Sequence, residues 1–339
     1  MLHLHIANVD FYVFTRIYLA RCKLILANFI VLCVWATTKK LRENDCLILL
    51  ISLAFIDFVY AVLQFPYLII LIAGARPDDV PFDYDPWIVV PLGGPSAALM
   101  KAGCTITTAI AIDRLRALYF PIAYYRQSKR TWSVAAFVLA LLLAFIDWIV
   151  LQLTVKIQRV PGCSSFGCFT NELFRAYWGL SNMMMNLLSC ILTVLIVYHL
   201  YKRSALMSKA AEVEKHNKSK IDKSANRVAL YILLVSALIG VVPGCLNGVG
   251  TIVSFKLLEE VSFFVGTCAT LSGLSHAFIF GMAHREIKAA IMRKICGVKM
   301  LERVTTRVDH SSTAGVTSKN HPMKIAPPKD SLTLEIPPH

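Results

Sequence analysis

Apolar residues in this chain come in long blocks rather than in the short alternations of strands or the one-sided stripes of soluble helices. The blocks fall at about 11–36, 46–73, 91–118, 132–154, 174–201, 227–253 and 261–282, each near the ~20 residues that carry a helix across a bilayer. Polar stretches separate them. The pattern predicts an all-α membrane protein, a seven-transmembrane-helix bundle, with a short extracellular N-terminus over 1–10 and the bundle over 11–296. From Gly297 onward the apolar periodicity ends, and Pro327, Pro328, Pro337 and Pro338 stand among Ser, Thr and Lys; 297–339 reads as a disordered cytoplasmic tail.

Charge sets the orientation, because cytoplasmic loops collect Lys and Arg. Most of the 35 basic residues lie after the odd-numbered spans, in Lys39 to Arg42, Arg114 to Arg130, Lys202 to Arg227 and from Arg285 on, while Asp78, Asp79, Asp83, Asp85, Glu259 and Glu260 lie on the other side. The N-terminus is therefore expected outside and the C-terminus inside. The formal charge of +14 then belongs to this bias and to anionic lipid headgroups, with the bilayer as the partner and no nucleic-acid motif beside it. Composition agrees: 56% of residues are hydrophobic and only 17% charged. The first block is unusual in its outer half, where Arg16, Arg21 and Lys23 predict a divergent or mis-assigned N-terminal stretch.

Polar residues inside the blocks carry the candidate chemistry, since each is costly in lipid unless a partner or water meets it. Asn28, Asp57 and His276 form one group, on the first, second and seventh blocks. Lys101 and Asp147 stand at similar depth on the third and fourth; they either pair or both reach a water-filled cavity that Asn182 on the fifth would also line. Pro243, among glycines, predicts a hinge in the sixth. Asp113 and Arg114 close the third block just before Pro121, which ends its helix. Of ten cysteines, Cys163 and Cys168 are the two clearly outside the membrane, so they are expected to pair with each other. An amphipathic eighth helix follows Arg285, and Cys296 at its end is a palmitoylation candidate.

The run Ala109 to Tyr125, with Asp113-Arg114-Leu115 and the downstream Ala and Pro, resembles the Asp-Arg-Tyr segment of rhodopsin-like G-protein-coupled receptors. Asn28, Lys39-Lys40-Leu41-Arg42 and Leu53-Ala54-Phe55-Ile56-Asp57 resemble that family's first and second helices. Tyr198 is similar to its fifth-helix Tyr, although the proline expected eight residues earlier is Cys190. Val241 to Pro243 is similar to the sixth-helix hinge, and His276 to Phe280 to the seventh-helix Asn-Pro-x-x-Tyr. The loop Cys163 to Cys168 and Tyr177 to Met183 look like nematode serpentine chemoreceptors, most similar to the Srbc group.

The resemblance implies a receptor in the plasma membrane of sensory neurons or cilia. It would bind a small extracellular chemical and activate a heterotrimeric G protein through a switch of Asp113, Arg114, Tyr198 and Phe280. It also implies a polar pocket that elsewhere holds sodium; here His276 replaces an Asn and Gly103 a Ser, so a protonatable pair of Asp57 and His276 is expected in place of the ion. No cofactor and no metal is called for. A transporter or ligand-gated channel using intramembrane Asp57, Lys101, Asp147 and His276 is the alternative, but neither an internal repeat nor a matched pair of broken helices accompanies it. Enzymatic activity is not expected: Ser275 and His276 are adjacent on one helix, point about 100° apart, and lack a second base.

Overall fold

In a bilayer every backbone N–H and C=O must be satisfied within its own segment, so an apolar block becomes a helix throughout. The computed structural model describes residues 2–74, 83–155, 157–161, 166–210, 228–240, 243, 258–283 and 285–295, and every regular element among them is helical. Helix α1 spans Leu2–Thr37, α2 Lys39–Arg42, α3 Ile48–Gly74, α4 Pro86–Tyr119, α5 Pro121–Arg126, α6 Lys129–Thr154, α7 Glu172–Ala210, α8 Val228–Gly240, α9 Leu258–Ala283 and α10 Arg285–Ile295. Six of them, α1, α3, α4, α6, α7 and α9, are long and apolar enough to cross a membrane, and α8 supplies a shorter apolar helix in sixth place. The seven blocks and the eighth helix thus appear in the expected order. The described helices belong to one unit, Met1–Val298. Cys163, Cys296, Gly244, Gly248, Gly250 and the tail from 297 lie outside the described residues.

Helix ends follow local chemistry. Asp85 caps α4 by accepting from the Trp87 N–H at 3.0 Å, with Pro86 at the first position, where no N–H is needed. At the other end α4 stops at Tyr119, because Pro121 cannot continue it and instead opens α5. Ser128 caps α6 through its hydroxyl.

α4 is the centre of the bundle and packs against α3, α6 and α7. Of its most apolar 18-residue stretch 67% is buried, against 22% for α7 and 28% for α6, whose large apolar residues such as Leu142, Phe145, Ile191 and Val194 face outward where lipid lies. Its sequence explains the difference. Gly93, Gly94, Ala97, Ala98, Ala102 and Ala109 are small and let neighbouring backbones approach. A Cβ on Gly93 would come within 2.7 Å of the Phe166 ring, and one on Gly94 within 2.7 Å of a Leu151 methyl. Thr105, Thr107 and Thr108 return their hydroxyls to carbonyls one turn back and so bury no unpaired donor. On the cytoplasmic face α10 buries Ile287 and Ala290, and its Glu286 meets Lys40 of α2 at 2.8 Å.

Candidate functional site

The small residues of α4 leave room beside it. A cavity of about 110 Å³ lies among α3, α4, α7, α8 and α9, lined in part by Asp57, Gly103, Asn182, Ser236, Pro243 and His276. Gly103 contributes by absence: a Cβ there would meet nothing within 4 Å. Asn182 is buried, donates from Nδ2 to the Trp178 carbonyl at 2.8 Å, and leaves its Oδ1 without a hydrogen-bond partner. Asn186, one turn on, accepts from the Cys104 thiol at 3.5 Å.

At the floor, His276 Nδ1 stands 3.0 Å from Asp57 Oδ2, and Nε2 stands 2.8 Å from the Ser236 hydroxyl and 3.3 Å from that of Ser272. A neutral ring with its proton on Nδ1 donates to the carboxylate and accepts from a serine; the protonated ring donates to both sides. Gly273 admits the carboxylate, since a Cβ there would sit 3.2 Å from Asp57 Cγ. Asn28 is not part of this contact. It is fully buried, its Nδ2 donates to Leu24 of its own helix at 3.1 Å, and its Oδ1 has no hydrogen-bond partner.

Lys101 and Asp147 meet behind the cavity wall, between α4, α6 and α7. Lys101 Nζ donates to the Ser181 hydroxyl at 2.5 Å and lies 3.8 Å from Asp147 Oδ2, beyond hydrogen-bond range, while the Tyr177 hydroxyl donates to Asp147 Oδ1 at 2.8 Å. Both charged side chains are almost completely enclosed. Neither lines the cavity.

At the cytoplasmic end of α4, Arg114 Nη2 pairs with Asp113 Oδ2 at 2.9 Å, and the Tyr124 hydroxyl donates to the same oxygen at 3.2 Å. Burial raises the Tyr124 phenol above its ordinary range, Arg114 opposing and Asp113 adding to the rise, so it stays a donor. Phe280 is buried between α9 and α10, packed with the core that includes Ile287. Tyr198 does not join this group: it is 61% exposed on the outer flank of α7. Cys190 stands where the family places a proline, and α7 runs unbroken through Ala210.

On the extracellular side Cys168 is disulfide-bonded, while among the described residues Cys22, Cys33, Cys46, Cys104, Cys190 and Cys268 are free; Cys163 lies outside the described residues. Val89 occupies the α4 position where rhodopsin-like receptors carry the staple cysteine, and it is buried.

Ser236, Ser272, Tyr177 and Ser181 escape a reading of the sequence. Ser272 and Ser181 carry the only signal, one helical turn from His276 and Tyr177. Residues 8–271 match the family described as serpentine type 7TM GPCR chemoreceptor Srbc. No curated protein matches the chain. A match over that length, borne by a chain whose described elements are all helical, with six helices long and apolar enough to cross a membrane, makes the chain a member of the Srbc family of serpentine type 7TM GPCR chemoreceptors.

Proposed function

We propose that the chain is a G-protein-coupled chemosensory receptor that takes a small extracellular chemical into the cavity among α3, α4, α7, α8 and α9 and activates a heterotrimeric G protein at its cytoplasmic face, in the plasma membrane of sensory neurons or their cilia. The observation that supports this reading is the cavity itself, which has Asp57 and His276 at its floor and is walled by the same helix, α4, that carries Arg114 at its inner end. A ligand that changes how α4 packs acts on both places.

Asp113 and Tyr124 hold Arg114 at rest, and activation releases it toward the G protein. Cys163 is the partner we assign to Cys168, which makes a short bridge that shapes the lid over the cavity. The test is calcium release in cells that express the receptor with a promiscuous Gα and are exposed to a volatile and metabolite panel. Arg114→Ala is expected to abolish the response while leaving surface expression intact. A ligand-dependent ionic current in the absence of any G protein would overturn the reading in favour of a channel or transporter.

A further inference from the structure

Arg21 has no part in the scheme above. It lies on α1, within the membrane-crossing stretch, only 3% exposed, and its Nε and Nη1 have no hydrogen-bond partner. It faces a second chamber of about 60 Å³, above the first, whose lining among the described residues includes Tyr60, Gln64, Tyr67, Phe166 and Gly266 and no Asp or Glu. Phe166, from the extracellular loop, closes the top, and its N–H donates to the Tyr67 hydroxyl at 2.9 Å.

A guanidinium whose Nε and Nη1 lack acceptors, in a chamber with no Asp or Glu among its described lining, is a costly side-chain arrangement in a membrane. Its surroundings make the cost informative. A Cβ placed on Gly266 would lie 3.7 Å from Arg21 Nη2 and 3.8 Å from Gln64 Nε2, so two N–H donors converge on one spot that the glycine keeps empty. The Tyr60 hydroxyl stands near Gln64 and Thr270 with hydrogen-bond geometry to neither. Among the described residues the chamber holds a fixed cation and two neutral side chains able to donate, the Gln64 amide and the Tyr60 hydroxyl, with no Asp or Glu, and this suits an anion.

We propose that this chamber anchors the carboxylate of a small organic monoacid, with Arg21 taking both oxygens in its fork and the Gln64 amide and Tyr60 hydroxyl donating to them. The proposal rests on the chemosensory reading and names the ligand class for it. One cation offsets one charge, which favours a carboxylate over a phosphate dianion, and the planar fork matches it. The two chambers share Tyr60, Met100, Trp178 and Val265. An apolar tail therefore continues from Arg21 into the larger cavity, past Leu53, Ile56 and Leu99. Asp57 at the far end of that cavity already faces His276 at 3.0 Å, which leaves no unpaired cation there for a second carboxylate and favours monoacids.

The test uses the full-length receptor in lipid nanodiscs and reads its thermal unfolding with straight-chain alkanoates from formate to decanoate, each beside the primary alcohol and methyl ester of the same length. One or more alkanoates are expected to raise the midpoint where their alcohols and esters do not. Arg21→Gln is expected to abolish that shift. Arg21→Lys keeps the charge but loses the fork, and is expected to weaken binding by roughly tenfold to a hundredfold. Gly266→Val fills the meeting point and removes the shift with Arg21 in place. Should Arg21→Gln fail to reach the membrane, Gln64→Glu supplies an internal carboxylate beside Arg21 and is expected to fold and to lose the alkanoate shift. The proposal is overturned if no alkanoate stabilises the receptor, if alcohols or esters do so equally, or if the shift survives Arg21→Gln or Gln64→Glu. Because unfolding needs no G protein, an alkanoate shift without any calcium response would retire the signalling reading and leave the site standing.

Discussion

Replacing one member of the Lys101 and Asp147 pair should be far more damaging than replacing both. Their side chains are 4% and 1% exposed and their charged atoms lie 3.8 Å apart. At an effective dielectric of ~20, unit charges at that separation attract by about 4 kcal/mol, which is of the order of the cost of taking both out of water, so the pair itself contributes little net stability. A lone survivor has no such compensation. In Lys101→Met, Asp147 keeps only the Tyr177 hydroxyl at 2.8 Å; in Asp147→Leu, Lys101 keeps only the Ser181 hydroxyl at 2.5 Å. Each single change is expected to cost about 3–5 kcal/mol, and Lys101→Met with Asp147→Leu to return within about 1 kcal/mol of the parent. Thermal unfolding of the four purified proteins in one detergent forms a double-mutant cycle and reads the coupling directly. If the losses of the single variants simply add in the double, the two residues are energetically independent and the buried-pair argument is wrong.

Gly93→Ala puts a methyl within 2.7 Å of the Phe166 ring and is expected to lower stability by roughly 1–3 kcal/mol, whereas Gly103→Ala points into open space and should leave the unfolding midpoint unchanged; equal midpoints for the two would show that the ring yields freely. Tyr84 donates to the Leu71 carbonyl at 2.8 Å and burial pushes its phenol up to about 12. The neutral phenol is thus the form the fold holds. Its contribution is complete below the usual tyrosine range near pH 10 and is lost as pH rises from there through about 12, so Tyr84→Phe should cost about 1 kcal/mol at pH 7 and flatten the alkaline loss of stability; an unaltered alkaline limb would refute this. Because His276 occupies the space beside Asp57, basal signalling should not respond to sodium at constant ionic strength, and His276→Asn should introduce a response. Inhibition of the parent receptor by sodium would count against it.

The spans are legible in the sequence because lipid leaves a segment no alternative to a helix, so length and apolarity suffice. Their ends are less so. The third block reads as starting at 91, yet α4 begins at Pro86 and carries Pro91 and Pro95 inside it, a cost that packing on α3, α6 and α7 absorbs. Charge pairs within one turn, such as Asp113 with Arg114, are written in the local sequence. Depth arithmetic brings Lys101 level with Asp147, but which wall of a helix each faces depends on packing, and no spacing rule places Ser236 forty residues from His276 and within 2.8 Å of it. Arg21 illustrates the opposite difficulty. The charge that looks like an error in a lipid-facing stretch is sheltered by Tyr60 and Gln64 of α3 and Gly266 of α9, none of which lies near it in sequence.

That placement bears on how the chain is made. α1 leaves the ribosome first and enters the membrane before any helix that shelters Arg21 exists. α3 brings Tyr60 and Gln64, yet the wall formed by Gly266 arrives only with the seventh span, after nearly the whole bundle has been synthesised. The first helix can therefore be inserted early but not seated until the last one joins it. Biosynthetic quality control would sense such a chain as unfinished at its beginning when the fault lies at its end: a lesion in α9 leaves a charged α1 loose in the bilayer, and truncation before α9 strands the arginine in lipid.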